Sequence, residues 1–455
     1  MLKVRQTKCS YQMYYNPLFL QNPSIQEAVF LSTDLGQLYQ SIPFRCLATK
    51  ISLPAYEKSG RGRKPFLKVE GAIALMVLKH YLGLSDELLI ERLNTDWCMQ
   101  YFCGVQLGVR KIKDKNLVSW WRTYLGQHLN IAELQGVLIE NWKPYMEQTH
   151  VTLMDATCYE SHLRYPTAVK LLWESIVKVY GIVQQKRNRL KLRCSRSNYS
   201  KHKQLYMLYQ RSRKKTKRKE KKLRKQLLRY LLRLMQGLDS LQQNQPFTYS
   251  NKEKRMLNTI ATVYEQQHEL LYGSSEKISH RIVSISKPYI RPIIRGKEIK
   301  PVEFGAKVHK VQVSGISFIE YLSYEAFNEG TRLKPTVAFH QKHFGKLRQL
   351  GADGIYATNE NRRYCNKLGI ATGFVAKGND GKLSHQKKAM RRALSVVRGT
   401  ILEGSFGNEK NHYLLAKVKA KTQPTETAWI FFGMLAANAS IISTRIADAQ
   451  KRKRA

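Results

Sequence analysis

His150-Val151-Thr152-Leu153-Met154-Asp155-Ala156-Thr157 is the stretch on which the fold class turns. Upstream of it the apolar residues follow helical spacing. Here Val151 and Leu153 alternate and then meet an acid, which predicts a short buried strand ending at a carboxylate. Leu350-Gly351-Ala352-Asp353-Gly354 repeats the pattern of a strand that ends at an acid. Between them, Lys307 to Val313 and Ile316 to Leu322 read as two strands turning at Ser314-Gly315, and Lys334 to Phe344 as a helix. Beyond Asp353, Asn359 to Leu368 is polar and helical, Gly369 to Ala376 is strand-like, and a long helical pattern carries Glu403. The order of strands and helices predicts an α/β sheet layered with helices.

After Asp155 the next strand-like segment does not arrive until about residue 280. Residues 186–234 are overwhelmingly basic, centred on Arg211-Ser212-Arg213-Lys214-Lys215-Thr216-Lys217-Arg218-Lys219, and leucines from 223 to 234 then give a helical apolar face. This predicts a helical insertion at about residues 168–278, inside a catalytic domain spanning residues 146–455. Like charges at this density repel one another, and a phosphate backbone relieves that repulsion. Arg213, Lys214, Lys215, Lys217 and Arg218 are therefore candidate DNA contacts, with a merely solvated helix as the alternative.

On the N-terminal side, Ile73, Met76, Val77 and Leu84 follow helical spacing. Ser85 can cap a second helix that has Asp86 and Glu87 in its first turn, so a helical hairpin joined at Gly83 is expected. Leu88, Leu89, Leu93, Trp97, Trp120 and Trp121 supply apolar bulk for an N-terminal helical domain at residues 1–145. Ahead of the hairpin stands Ser59-Gly60-Arg61-Gly62-Arg63-Lys64-Pro65, where Arg61 and Arg63 flank glycine as in arms that enter the minor groove. A basic linker is the plainer reading.

The 455 residues, 43% hydrophobic, suffice for two to four domains. A formal charge of +45 attracts polyanions, so double-stranded DNA is the first partner expected. A membrane surface would require an amphipathic or lipidated anchor as well. Residues Met1 to Ser10 hold no apolar stretch, and the seven cysteines form no Cys-x-x-Cys pair, which suggests a reduced, cytoplasmic protein. The run Ala428 to Ile442 is interrupted by Gly433, Asn438 and Ser440 and reads as a buried core helix. His340 and His343 stand three apart with no third partner near in sequence, which argues against zinc.

Acids are scarce, 33 against 78 basic residues. Asp155 and Asp353 at strand ends, with Glu403 on a helix, would form a hard oxygen cage for two Mg²⁺ or Mn²⁺ ions. N-capping or an arginine partner is the plainer role for each acid.

Four motifs add to this. Met154-Asp155-Ala156-Thr157 with Arg164-Tyr165-Pro166-Thr167, Pro301 to Val308, Leu350 to Tyr356 with Asn361-Arg362, and Ile401 to Asn408 with Lys410 together resemble the bacterial insertion-sequence transposases of the DDE type, in the broad IS five-like group. Gly62-Arg63 to Gly104 resembles their N-terminal helical domain. The resemblance implies an RNase H-like catalytic domain, a mixed sheet with flanking helices. It also implies a homodimer that cleaves transposon ends and transfers the strands to target DNA by two-metal chemistry at Asp155, Asp353 and Glu403. Lys410, two turns beyond Glu403, would hold a phosphate near the scissile bond. The chain departs from the pattern in two places. Arg398 stands five positions before the glutamate with no tyrosine at its accompanying offset, and Ile355 separates Gly354 from Tyr356. A stand-alone nuclease on the same fold, or a non-catalytic DNA-binding relative, are the competing readings.

Overall fold

The computed structural model describes residues 23–52, 67–107, 110–193, 197–274, 278–295, 301–378 and 384–454. The chain opens with helices α1 (Pro23–Ser32), α2 (Asp34–Gln40), α3 (Phe44–Ala48), α4 (Val69–Tyr81), α5 (Asp86–Thr95), α6 (Trp97–Phe102), α7 (Leu117–His128) and α8 (Ile131–Trp142). The α4–α5 hairpin forms as its residues dictate. Gly83 takes the left-handed turn at φ +66°, and Ser85 Oγ accepts from Leu88 N at 3.2 Å to start α5. Helix α4 is buried on nearly every side, so it is the centre of the helical layer.

Strand β1 (Val151–Glu160) follows, then the insertion: α9 (Ala168–Arg189), α10 (Tyr199–Arg211), α11 (Lys217–Asn244) and α12 (Asn251–Tyr272). The insertion has its own core, in which Leu223, Leu227, Leu231 and Leu238 of α11 pack on Ile176, Val179 and Val183 of α9. Beyond it come β2 (Pro292–Ile294), β3 (Val302–Val313), β4 (Ile316–Ser323), α13 (Leu333–Phe344), β5 (Gln349–Gly351), α14 (Asn359–Lys367), β6 (Ala371–Thr372), α15 (Ser384–Val397), α16 (Glu403–His412) and α17 (Gln423–Arg454).

The sheet runs β2-β3-β1-β5-β6, with β4 also paired to β3. Strand β3 is antiparallel to β1 and β4, whereas β5 and β6 are parallel to β1 and β5 respectively. Ser314 (φ 52°) and Gly315 (φ 75°) both take positive φ, as a tight β3–β4 hairpin requires. Two strands differ from expectation. Strand β1 does not end at Asp155 but continues to Glu160, because Thr157 and Tyr159 find polar partners in α16 while the strand stays paired to β3. The segment 369–376 is extended only at Ala371–Thr372, after which Phe374 turns into a small core with Leu350 and Tyr356.

The helical layer and the sheet share one hydrophobic core, in which Leu75 and Trp121 join Val311, Phe318 and the α17 residues Ala428 to Ile442. Two buried amides bind the free edge of β4. Gln135 of α8 exchanges both amide bonds with Ile319 (2.9 and 2.7 Å), and Asn438 of α17 does the same with Ser317 (2.7 and 3.0 Å). An edge strand that would otherwise present unpaired groups is thereby closed. Among the described residues α17 alone is long and apolar enough to cross a membrane, and its apolar stretch is buried against α4, α7 and β4.

Candidate active site

Alternate residues of β1 share a face, so Leu153, Asp155, Thr157 and Tyr159 point the same way. Leu153 packs under Leu394 of α15 and Leu402, which brings the α15–α16 segment across that face. Between the two helices, Arg398–Leu402 forms one π-helical turn of five residues. In an α-helix, residues five apart point about 140° away from each other. The wider turn cancels that offset and sets Arg398 on the side of Glu403. The offset of five therefore does not displace the arginine.

Asp155 Oδ1 accepts from Ala156 N at 2.7 Å, and Oδ2 accepts from Arg398 Nη1 at 3.1 Å. The same guanidinium nitrogen lies 3.1 Å from Glu403 Oε1. One cationic atom thus bridges a carboxylate of the sheet to a carboxylate of the helix. Asp155 is 17% exposed and Glu403 51%. Burial pushes the Asp155 carboxyl up from its ordinary value. The Ala156 N–H and the Arg398 charge oppose that rise, and the negative charges of Glu329 and Asp353 add to it.

Asp353 stands two residues beyond the end of β5. The parallel register ends by pairing Leu153 with Gly351, two positions before Asp155 and Asp353 respectively, and the charge of Asp353 is felt at Asp155. Asp353 Oδ1 accepts from Gly354 N at 2.7 Å, and Oδ2 has no partner among the described residues. Sites in open α/β sheets lie outside the carboxyl ends of parallel strands, and this acid stands at such an end. Both plainer roles are present, since Asp353 caps a turn and Asp155 has an arginine. Neither role uses all the oxygens the three acids offer.

Lys410 is seven residues along α16 from Glu403, about 10.5 Å by helical rise. Its Nζ donates to Thr157 Oγ1 at 3.0 Å, on the face of β1 that carries Asp155. Sequence reasoning missed Lys310, which stands directly opposite Asp155 in the β1–β3 ladder and is wholly buried. Its ammonium donates to Glu409 Oε1 at 2.7 Å and to Ser405 Oγ at 2.9 Å, while the Tyr159 hydroxyl donates to the other Glu409 oxygen. Burial lowers the Lys310 ammonium from its ordinary value, and the Glu409 carboxylate works against that. A lysine between Val308 and Val311 in a strand-like segment was the available signal.

Two family models match the chain. One, described as Transposase DDE domain, covers residues 350–439 and so holds Asp353, Arg398, Glu403 and Lys410. The other, described as Transposase domain (DUF772), covers residues 25–124, from α1 into α7. Together the two matches support an insertion-sequence DDE transposase. No curated protein and no solved structure matches it. Asp155 lies outside both matched spans, so its place beside Asp353 and Glu403 rests on the strand register and the Arg398 bridge.

The remaining candidate residues are placed as follows. Arg61 and Arg63 lie outside the described residues. Arg213, Lys214 and Lys215 are exposed in the α10–α11 connection, and Lys217 and Arg218 are exposed on the first turn of α11. Among the described residues none of the five makes an ion pair with the three acids. His340 is buried with Nδ1 2.6 Å from Thr152 Oγ1, and burial holds its imidazole down at about 4, so it is a neutral core group. Among the described residues no group of three or more His, Cys, Asp or Glu is drawn together as a ready metal cage.

Proposed function

We propose that the transposase cleaves transposon ends and transfers the strands to target DNA, using two Mg²⁺ or Mn²⁺ ions held by Asp155, Asp353 and Glu403. The observation that carries this reading is the Arg398 bridge, because a β1 carboxylate and an α16 carboxylate that share one cationic nitrogen at 3.1 Å offer hard oxygens at cation-bridging range. When bound, such a metal pair activates water or a terminal 3′-hydroxyl and stabilises the leaving oxygen.

The protein groups supply position and charge. The Ala156 and Gly354 amides hold Asp155 and Asp353 in fixed orientations, each by one N–H at 2.7 Å. Arg398, freed from the two carboxylates, reaches a phosphate oxygen with a planar fork of donors. Lys410, resting on Thr157, neutralises a phosphate next to the scissile one.

An RNase H-like catalytic domain is supported by the mixed sheet itself, in which β1 has an antiparallel hairpin on one flank and two short parallel strands on the other. Residues 1–145 serve end recognition, with the Arg61 and Arg63 arm in the minor groove. The exposed lysines and arginines of residues 213–218 neutralise duplex phosphates, and a homodimer brings two inverted-repeat ends together in the cytoplasm. Purified transposase, a DNA fragment bounded by its inverted repeats, and Mg²⁺ or Mn²⁺ provide the test. Cleavage and joining are both expected; cleavage with no joining would make the protein a nuclease.

A further inference from the structure

A cleft of about 930 Å³ separates α5 and α7 from the segment that follows α16. Each wall belongs to one of the two matched transposase domains. Seven basic side chains and one acid, Asp86, line it. Asp86 is already committed, 2.5 Å from Lys79 and 2.7 Å from Arg122, and both cations also lie over the Trp429 ring. Lys115 pairs with Glu87 and Lys417 with Glu160, and the cleft still keeps an excess of positive charge.

That charge is arranged in a line. Residues 417–421 read Lys-Val-Lys-Ala-Lys, with Val418 and Ala420 buried and the three lysines exposed. Val418 N donates to Glu160 O at 2.7 Å and His162 N to Val418 O at 2.8 Å, so the segment is pinned to the end of the strand that carries Asp155. In extended chain, side chains two apart project to the same side about 6.6 Å from each other. Lys417 pairs with Glu160, whereas Lys419 and Lys421 make no hydrogen bond or ion pair among the described residues. Ser119 and Thr123 of α7 offer hydroxyls to the same space. Lys410 lines the cleft at its inner end, on the helix that begins at Glu403.

We infer that this cleft holds the phosphate backbone of the DNA strand leading away from the scissile phosphate, with Lys419 and Lys421 as its contacts. It rests on the reading of Asp155 and Glu403 as catalytic acids, which sets where the strand begins. A polyanion is the ligand that relieves the neighbouring charges of Lys419 and Lys421, and a DNA strand is the polyanion on which a transposase acts. The cleft thus couples the helical layer to the reacting end: a strand lying in it touches both walls at once.

The test uses full-length Lys419→Ala/Lys421→Ala and Lys419→Arg/Lys421→Arg proteins. Both positions are exposed, so the fold is retained, and thermal unfolding checks that. Binding is measured against salt for two end fragments, one long enough to fill the cleft and one trimmed at the scissile phosphate. The alanine pair should lower the slope of log K against log salt by about 1.4 to 1.8 on the long fragment, at about 0.7 to 0.9 per lost contact. The trimmed fragment should show no change, and the arginine pair should restore the slope. KM for cleavage should rise several-fold with kcat nearly kept. An unchanged slope and KM on the long fragment would overturn the inference, as would equal losses on both fragments. An Asp155→Asn protein that binds but does not cut keeps the catalytic reading standing whichever way the cleft result falls.

Discussion

Lys310 Nζ lies 2.7 Å from Glu409 Oε1, and both side chains are almost completely withdrawn from water directly beneath the strand face that carries Asp155. The pair bears on which glutamate of α16 is free to act as the proposed ligand. Glu409 is engaged on both oxygens, by Lys310 and by Tyr159, whereas Glu403 stands half-exposed at the helix start. With the pair in view, Glu409→Ala should destabilise by about 3 to 5 kcal/mol, because it leaves a buried ammonium without its partner. Glu403→Ala should unfold at the wild-type temperature and cut nothing. Thermal unfolding beside a cleavage assay separates the two. Lys310→Met combined with Glu409→Gln should recover most of the lost stability, since the glutamine still accepts from Tyr159.

If Asp155 and Glu403 hold the proposed metal pair, Arg398 competes with it for their oxygens. Arg398→Ala should therefore bind Mn²⁺ more tightly than wild type in the absence of DNA. The expected gain is roughly fivefold, the equivalent of about 1 kcal/mol for a partly exposed ion pair. Cleavage should fall, since the phosphate contact goes with the side chain. Calorimetric titration with Mn²⁺ reads the first effect, and weaker binding would mean that the arginine holds the acids in place for the ion.

Burial raises the Asp155 carboxyl above its ordinary 3.8, so the folded protein holds that proton more firmly than the unfolded chain. The stability linked to that proton is fully present below pH 3.8 and is lost as pH rises through the raised value. At pH 7 without metal, the ionised Asp155 is a cost that Arg398 only partly offsets. Asp155→Asn should therefore raise Tm at pH 7 by a few degrees, with the gain shrinking as pH falls toward 4. Adding Mg²⁺ should stabilise wild type and leave the variant unmoved. Scanning calorimetry across that range is the measurement, and a lower Tm for the variant at pH 7 would refute the account.

The exposed cations of the insertion should govern general affinity for duplex DNA. Replacing Arg213, Lys214, Lys215, Lys217 and Arg218 together by glutamine should reduce the slope of log K against log salt by up to about 4.5, at about 0.9 per phosphate contact. The insertion has its own core of leucines, so unfolding of the rest should not change. An unaltered slope would assign duplex binding to another surface.

Asn438→Ala removes both amide bonds to Ser317 at the edge of β4 and leaves two buried backbone groups unsatisfied. Loss of about 1 to 3 kcal/mol per orphaned group is expected, measurable as a lower denaturant midpoint. Asn438→Leu, which keeps the bulk but not the bonds, should do no better.

Local pattern was enough for the order of elements, the α4–α5 hairpin with its Ser85 cap, the Ser314-Gly315 turn and the leucine face of α11. Each of these depends on residues within a few positions of one another, where spacing, capping and turn chemistry act directly. Three matters were decided only by the tertiary structure. Asp155 sits in mid-strand because Thr157 and Tyr159 are satisfied by residues some 250 positions away, and no local pattern reports such partners. Arg398 reaches Glu403 because the chain widens into a π turn, so its sequence offset alone misled. Asn438 reads as an interruption in an apolar run, yet it closes a sheet edge. A polar residue's role depends on which unsatisfied group the fold brings within hydrogen-bond reach, and that is a property of the packed chain rather than of its neighbours in sequence.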